Sequence, residues 1–196
     1  MKKLAIAALA TLLTTNAFAA QGDILARFRV TNVNPQTSVS SDLEGVDVKD
    51  DTIPEVDFTY MLTNNVGVEL ILGTSKHSVT AGSTELGTVK VLPPTLTAQY
   101  HFNPQGEFRP YVGAGVNYTR FYGFKNKIDG LDLSVKKNSF GPALQVGIDM
   151  PLTKDVFLNL DMKKIWIKTK VKAGSTDLGT LDINPLVTSV GIGTKF

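Results

Sequence analysis

The chain has 196 residues, 42% of them hydrophobic, and it contains no cysteine. The lack of cysteine excludes a disulfide framework and a thiolate metal site. Its 20 basic and 18 acidic residues are almost balanced, and Lys2 and Lys3 make up the whole excess, so the sequence offers no basic surface for nucleic acid.

The first nineteen residues have the order of a secretory signal peptide. Lys2 and Lys3 form a positive n-region, residues 4–13 are apolar, and Ala17-Phe18-Ala19 fits a cleavage site. The apolar run is shorter than the roughly 20 residues that a membrane helix needs. We therefore predict export with cleavage after Ala19, which leaves residues 20–196 as a single mature domain.

After residue 20 the dominant pattern is alternation of apolar and polar side chains, which is typical of β-strands. In the first segment Ile24 and Phe28 fall on one face, and Arg27 and Arg29 fall on the other. Comparable alternation occurs in segments 23–31, 56–62, 66–73, 95–102, 112–119, 140–149, 156–166 and 186–196. The pattern predicts an all-β fold with eight antiparallel strands.

The connections between these segments alternate in length. Short breaks occur near Asn64, Pro104 and Thr153, whereas the connections at 34–52, 76–91, 123–137 and 171–182 are long and polar. Short periplasmic turns and long extracellular loops are the pattern of a transmembrane β-barrel. An even strand number would place both mature termini in the periplasm.

A soluble sandwich or a lipocalin-like barrel would alternate in the same way. Aromatic residues decide between these folds, because they cluster near strand ends on the apolar face, as membrane-interface girdles require. They are Phe58, Tyr60, Tyr100, Phe102, Tyr118, Trp166 and Phe196. We therefore predict a barrel in the outer membrane of a Gram-negative bacterium.

Two stretches resemble the OmpW family of outer-membrane proteins: LPPTLTAQYHFNP at 92–104 and FRPYVGAGVNYT at 108–119. NLDMKK at 159–164 and VGIGTKF at 190–196 are also similar to that family's last two strands. The resemblance implies an eight-stranded barrel with a narrow hydrophobic channel. It further implies passage of small apolar molecules across the outer membrane. We expect no cofactor.

Charged residues recur on the inward face. They are Arg27, Arg29, Glu55, Asp57, Glu69, Asp149, Asp161, Lys163 and Lys195. An eight-stranded barrel is only wide enough for side chains to fill its interior. We interpret these residues as an ion-pair plug that braces the lumen, in preference to an ion-selective pore.

Other inward positions are apolar and fall toward the extracellular half of the barrel. They are Ile71, Phe121, Ile165, Ile167 and Val187. An apolar vestibule above a polar plug admits a hydrophobic molecule but does not favour its straight passage. Five prolines lie near the extracellular rim, where each removes a ladder hydrogen bond and marks a candidate lateral opening: Pro54, Pro93, Pro94, Pro142 and Pro185.

The sequence does not indicate an enzyme. A hydrolase would need a nucleophile, a base and an orienting group in one place. His77 falls in a predicted extracellular loop and His101 near a periplasmic turn, so the two histidines should lie at opposite ends of the barrel. The same separation argues against a histidine metal site.

The expected partners are outer-membrane lipid and lipopolysaccharide, small apolar ligands and, during assembly, the barrel-insertion machinery. Phe196, an aromatic C-terminal residue after alternating apolar positions, resembles the signal that this machinery reads. Acidic residues crowd the first long loop at Asp42, Glu44, Asp47, Asp50 and Asp51. A surface receptor or adhesin that acts through its loops, or a purely structural barrel, is the alternative function.

Overall fold

A computed structural model describes residues 20–40, 43–127 and 133–196, so the predicted signal peptide lies outside the described residues. In chain order the strands are β1 (Ile24–Asn34), β2 (Ser38–Val39), β3 (Val46–Val48), β4 (Asp51–Met61), β5 (Val66–Gly73), β6 (Ser75–Ala81), β7 (Thr84–Leu92), β8 (Thr95–His101), β9 (Arg109–Asn126), β10 (Leu133–Val135), β11 (Asn138–Pro151), β12 (Val156–Ile165), β13 (Lys168–Ala173), β14 (Thr176–Asp182) and β15 (Leu186–Lys195). No helix in these three ranges is long and apolar enough to span a membrane.

Eight of the described strands close into an antiparallel barrel. Around its circumference the order is β1, β4, β5, β8, β9, β11, β12 and β15. The first and last strands form the closing seam, where Leu25 pairs with Lys195 and Asn34 with Leu186. The predicted all-β, eight-stranded antiparallel barrel is confirmed.

The two faces of the wall differ as the alternation predicts. On β1 the outward residues Phe28 and Val30 are each 53% exposed, whereas the inward residues Arg27 and Arg29 are at most 1% exposed. Apolar side chains outside and buried polar side chains inside are the arrangement of a barrel surrounded by lipid. Tyr100 and Phe102 pack edge to face on the outer surface, 5.0 Å between ring centroids, near the end of β8.

One end of the barrel, here the turn end, is closed by short connections. Two of these turns are built alike, at 62–66 and 152–156. In the first, Leu62 and Thr63 donate backbone N–H bonds to the Val66 carbonyl, and Val66 donates back to the Thr63 hydroxyl at 2.9 Å. The hydroxyl satisfies a backbone donor that the turn would otherwise leave unpaired.

The opposite end, the loop end, is more ordered than the sequence predicted. The predicted loop 76–91 forms most of the hairpin β6–β7, which continues the wall above β5 and pairs with β3 and β9. The predicted loop 171–182 belongs to the hairpin β13–β14, in a four-stranded sheet with β10 and β2. The sequence indicated long polar connections here, with a repeated Ala-Gly-Ser-Thr turn that fits two hairpins at 81–84 and 173–176, and both hairpins are present. Polar outward residues concealed how far the alternation continues through both segments.

Inward glycines make room for large interior side chains. A Cβ atom on Gly147 would overlap the Tyr111 ring, and one on Gly193 would overlap the Phe157 ring. Both rings are almost fully buried, with exposures of 1% and 0%. A small residue opposite each ring therefore lets a narrow barrel hold it.

We expect Gly193→Ala to lower the free energy of unfolding by about 1–3 kcal/mol, because the added methyl group overpacks the lumen. Reversible unfolding in detergent or lipid vesicles measures the change. Phe157→Leu is the matched background: there the same Gly193→Ala substitution should cost much less. Equal costs in both backgrounds would show that the ring is not the obstacle.

Candidate functional site

Two arginines of β1 organise a buried ion-pair cluster across the middle of the lumen. Arg27 contacts Asp57 at 2.9 Å and Asp149 at 2.8 Å. Arg29 contacts Glu55 at 3.0 Å, Asp57 at 3.0 Å and Glu69 at 3.2 Å. Because these partners belong to β4, β5 and β11, the cluster spans the full width of the barrel.

A lysine extends the cluster toward the loop end. Lys163 on β12 is 1% exposed and contacts Glu55 at 2.8 Å and Asp161 at 2.9 Å. Eight of the nine predicted plug residues therefore meet in one network, which we call the plug: Arg27, Arg29, Glu55, Asp57, Glu69, Asp149, Asp161 and Lys163.

Lys195 lies elsewhere. Its ammonium group is 3.7 Å from Asp23 at the turn end, and its side chain is 19% exposed. The prediction that it belongs to the plug is corrected: alternation placed it on the inward face, but it is the last residue of β15, below the level of the cluster.

Neutral side chains that the sequence analysis missed complete the plug. The Tyr111 hydroxyl donates to Asp161 at 2.7 Å, and Asn159 bridges Arg29 and Asp149 with contacts of 2.7 Å each. Gln145 donates to Glu69 at 2.9 Å and to Asp161 at 2.7 Å. Their inward alternation was visible in the sequence, but a search for charges did not select them.

An apolar floor lies on the turn-end side of the plug. Leu25, Met61 and Phe157 form a cluster in which each side chain is 0% exposed. The Arg27 guanidinium lies 5.5 Å from the centre of the Phe157 ring, so the floor and the plug are in direct contact. A solute that moved along the barrel axis would have to displace both layers.

On the loop-end side of the plug, the lumen opens into an apolar cavity of about 320 Å³, which we call the vestibule. The five residues predicted as channel lining all lie on its wall and are at most 5% exposed: Ile71, Phe121, Ile165, Ile167 and Val187. Lys163 and Glu55 of the plug form part of its base.

The vestibule is larger than the predicted set, because the loop-end hairpins add to its wall. Val89 and Val91 of β7, Leu181 of β14, and Leu43 and Val48 from the first long connection pack in the same apolar cluster. These residues were missed because the segments that carry them were taken as loops.

The two histidines lie at opposite ends, as predicted, but His77 is not in a loop. It lies on β6, is 4% exposed and lines the vestibule together with Ser75. His101 lies near the turn end, where its ring contacts the Gln99 side chain at 3.1 Å. In the described part of the chain, no group of three or more His, Asp or Glu side chains is placed to hold a metal ion.

The barrel wall is interrupted beside the vestibule, between the segments 72–74 and 92–94. β5 and β8 pair up to Ile71 and Thr95, and β6 and β7 resume in the same register at Ser75 and Val91. Among the described residues, no backbone pairing joins 72–74 to 92–94. We call this interruption the wall break.

Residues of the wall break lie on both surfaces of the barrel wall. Gly73 and Pro93 line the vestibule on the inside. On the outside Leu72 is 40% exposed and Leu92 is 37% exposed. Pro93 and Pro94 lack the N–H groups that would continue the ladder, which accounts for the interruption.

Each of the other three rim prolines keeps a backbone pairing with a neighbouring strand. Pro54 pairs in register with Val30, and Pro142 pairs with Val116 and accepts a bond from the Trp166 N–H at 3.1 Å. The Pro185 carbonyl accepts a bond from the Ile165 N–H at 3.2 Å. On its other side, Pro54 also borders an unpaired stretch: β4 and β5 pair up to Glu55 and Gly73, and among the described residues no backbone pairing joins 51–54 to 74–77. The five prolines therefore do not form one opening. Pro142 and Pro185 lie in paired wall, whereas Pro54, Pro93 and Pro94 border unpaired stretches.

Comparison with known proteins assigns this architecture to a family. The sequence model of the OmpW family matches residues 20–196. This chain belongs to the OmpW family. Outer membrane protein W of Escherichia coli K12 is 38% identical over 213 aligned residues, which cover all of both chains.

The crystal structure of the outer membrane protein OprG from Pseudomonas aeruginosa is similar, with a TM-score of 0.81. The two sequences are 29% identical, and the match covers 92% of this chain and 99% of that one. A further relative, the dibenzothiophene metabolism operon protein PahQ of Pseudomonas aeruginosa, is 29% identical over 87% of both chains. The protein is thus an outer-membrane barrel. The LPPTLTAQYHFNP stretch by which the sequence resembles the OmpW family holds the prolines of the wall break and all of β8.

Proposed function

We propose that this barrel takes up small hydrophobic molecules passively from outside the cell and releases them sideways into the outer membrane. The observation that carries the proposal is the vestibule, an apolar cavity of about 320 Å³ inside a membrane barrel. A cavity of that size, lined by aliphatic and aromatic side chains, fits a small apolar ligand.

The plug supports a route that avoids the barrel axis. An apolar solute that crossed it would separate buried ion pairs such as Arg29–Glu55, whose side chains are 0% and 7% exposed. An uncompensated charge in such a place costs several kcal/mol. The axial route is therefore much less favourable than an exit above the plug.

The wall break supplies that exit. A gap in a regular ladder would expose unpaired N–H groups to lipid, which is costly in hydrocarbon. Two prolines have no N–H groups to expose, and the leucines outside the break offer an apolar surface to the leaving molecule. We therefore place the lateral opening at Pro93 and Pro94 rather than at the unpaired stretch beside Pro54, where only one proline lies, and we assign no opening to Pro142 or Pro185.

The relatives are consistent with this proposal. PahQ is named for the metabolism of dibenzothiophene, a small apolar aromatic compound.

The proposal also gives the barrel an orientation in the membrane. The loop end would face the outside of the cell, and the turn end, with both mature termini, would face the periplasm. Lipid and lipopolysaccharide would surround the apolar outer face.

Closing the wall break with a disulfide tests the lateral route. Thr74 and Leu92 face each other in the register of the flanking pairs, and the chain has no other cysteine. We expect Thr74→Cys combined with Leu92→Cys to reduce naphthalene uptake by cells severalfold when oxidised, because the bond holds the two edges together. Reduction should restore uptake.

A second cysteine pair controls for the disulfide itself. Val30→Cys with Val190→Cys bridges outward residues that are paired at the closing seam, and its oxidation should leave uptake unchanged. Undiminished uptake through the oxidised 74–92 variant would contradict a lateral exit at the wall break.

A further inference from the structure

One polar pair stands out on the apolar wall of the vestibule. The Ser75 hydroxyl lies 2.8 Å from His77 Nε2, and His77 Nδ1 lies 2.7 Å from the backbone carbonyl of Lys49. Ser75 and His77 are only 5% and 4% exposed, and both line the vestibule.

The carbonyl fixes the direction of these hydrogen bonds. A backbone carbonyl can only accept, so His77 Nδ1 carries the proton, and in the neutral ring Nε2 is then an acceptor. Ser75 must donate its only hydroxyl proton to Nε2. Its oxygen keeps its lone pairs, and no other side chain or backbone group of the described residues donates to them. A ligand in the vestibule could do so.

The pair lies beside the proposed exit. Ser75 begins β6 immediately after residues 72–74 of the wall break. Glu55 pairs with Gly73 across β4 and β5 and also lines the vestibule. Its carboxylate is a second acceptor, although Arg29 and Lys163 already bind one of its oxygens. Ser75 and Glu55 therefore both present acceptor oxygens at the inner mouth of the wall break.

We propose that the vestibule selects apolar molecules that carry one hydrogen-bond donor, such as a phenol or an alcohol. The ligand's O–H group donates to Ser75 Oγ, whose own hydroxyl proton is donated to His77 Nε2. The inference rests on the proposed uptake function and specifies its substrate class. A hydrocarbon of the same shape fits the apolar wall but leaves the serine oxygen without a donor, which disfavours it.

The test compares barrel-dependent uptake of 2-naphthol and naphthalene by cells of a host that lacks its own OmpW-family barrel. The rate without the barrel is subtracted for each probe. We expect the unchanged protein to take up 2-naphthol about fivefold faster than naphthalene, which is the effect of one neutral hydrogen bond.

Two substitutions of equal shape isolate the hydroxyl. Ser75→Thr keeps the oxygen and should keep the preference. Ser75→Val places a methyl group there and should abolish the preference while naphthalene uptake stays near that of Ser75→Thr. Because the readout is a ratio between two probes, a change in the amount of folded barrel cancels.

The outcomes separate the two proposals. If the barrel accelerates uptake of neither probe, the proposed function fails. If it accelerates both equally, or if the preference for 2-naphthol survives in Ser75→Val, the function stands and the assignment of Ser75 as the selecting group is overturned.

Discussion

Arg29→Ala should lower the free energy of unfolding of the barrel by about 3–5 kcal/mol, because removal of one partner leaves buried charges uncompensated. The guanidinium contacts three carboxylates, Glu55, Asp57 and Glu69, at 3.0–3.2 Å. Urea unfolding in lipid vesicles and the heat-dependent gel shift of the folded barrel measure the loss.

Lys195→Gln is the matched control, since it also removes a cation from an inward position. That lysine lies at the turn end, outside the plug, and its side chain is 19% exposed, so its replacement should cost less than about 1 kcal/mol. Equal effects of the two substitutions would show that the plug does not stabilise the barrel.

Phe121→Asp should reduce naphthalene uptake by at least about tenfold, because it places an unpaired carboxylate in the apolar vestibule. Phe121 lies on β9, is 2% exposed and packs in the apolar cluster of the vestibule wall. Uptake by cells, normalised to the amount of folded barrel in the outer membrane, measures the effect.

Phe121→Leu keeps the position apolar and should retain most of the uptake. Ile165→Asp, at the end of β12, should act like Phe121→Asp, since Ile165 also lines the vestibule. Uptake that tolerates both aspartates would place the path of the ligand outside the vestibule and contradict the proposed function.

The barrel itself follows from the sequence because alternation records which face of a strand meets lipid. The outward face of β1, with Phe28 and Val30, could be identified without coordinates. Two of the short turns were predictable for a related reason: Thr63 and Thr153 lie between strands where polar residues interrupt the apolar pattern.

The vestibule was predictable only in part. Ile71 and Phe121 follow clear alternation, but Ser75 and His77 lie in a segment whose outward residues include Lys76 and Ser78. The mixed composition resembled a loop, and nothing local shows that the hairpin continues the barrel wall. The wall break required the register of two strand pairs, which depends on contacts distant in sequence.

The way in which the plug joins distant strands has a consequence for how the barrel reaches the membrane. Arg27 and Arg29 enter with the first strand, but their contacts include Asp149 on β11 and Asn159 on β12, more than 100 residues later in the chain. In an incomplete sheet, these arginines would lack some of their hydrogen-bonding and ion-pair partners. Both arginines have all their partners only once the barrel is closed. The charges in the lumen therefore destabilise partly assembled forms and make insertion cooperative.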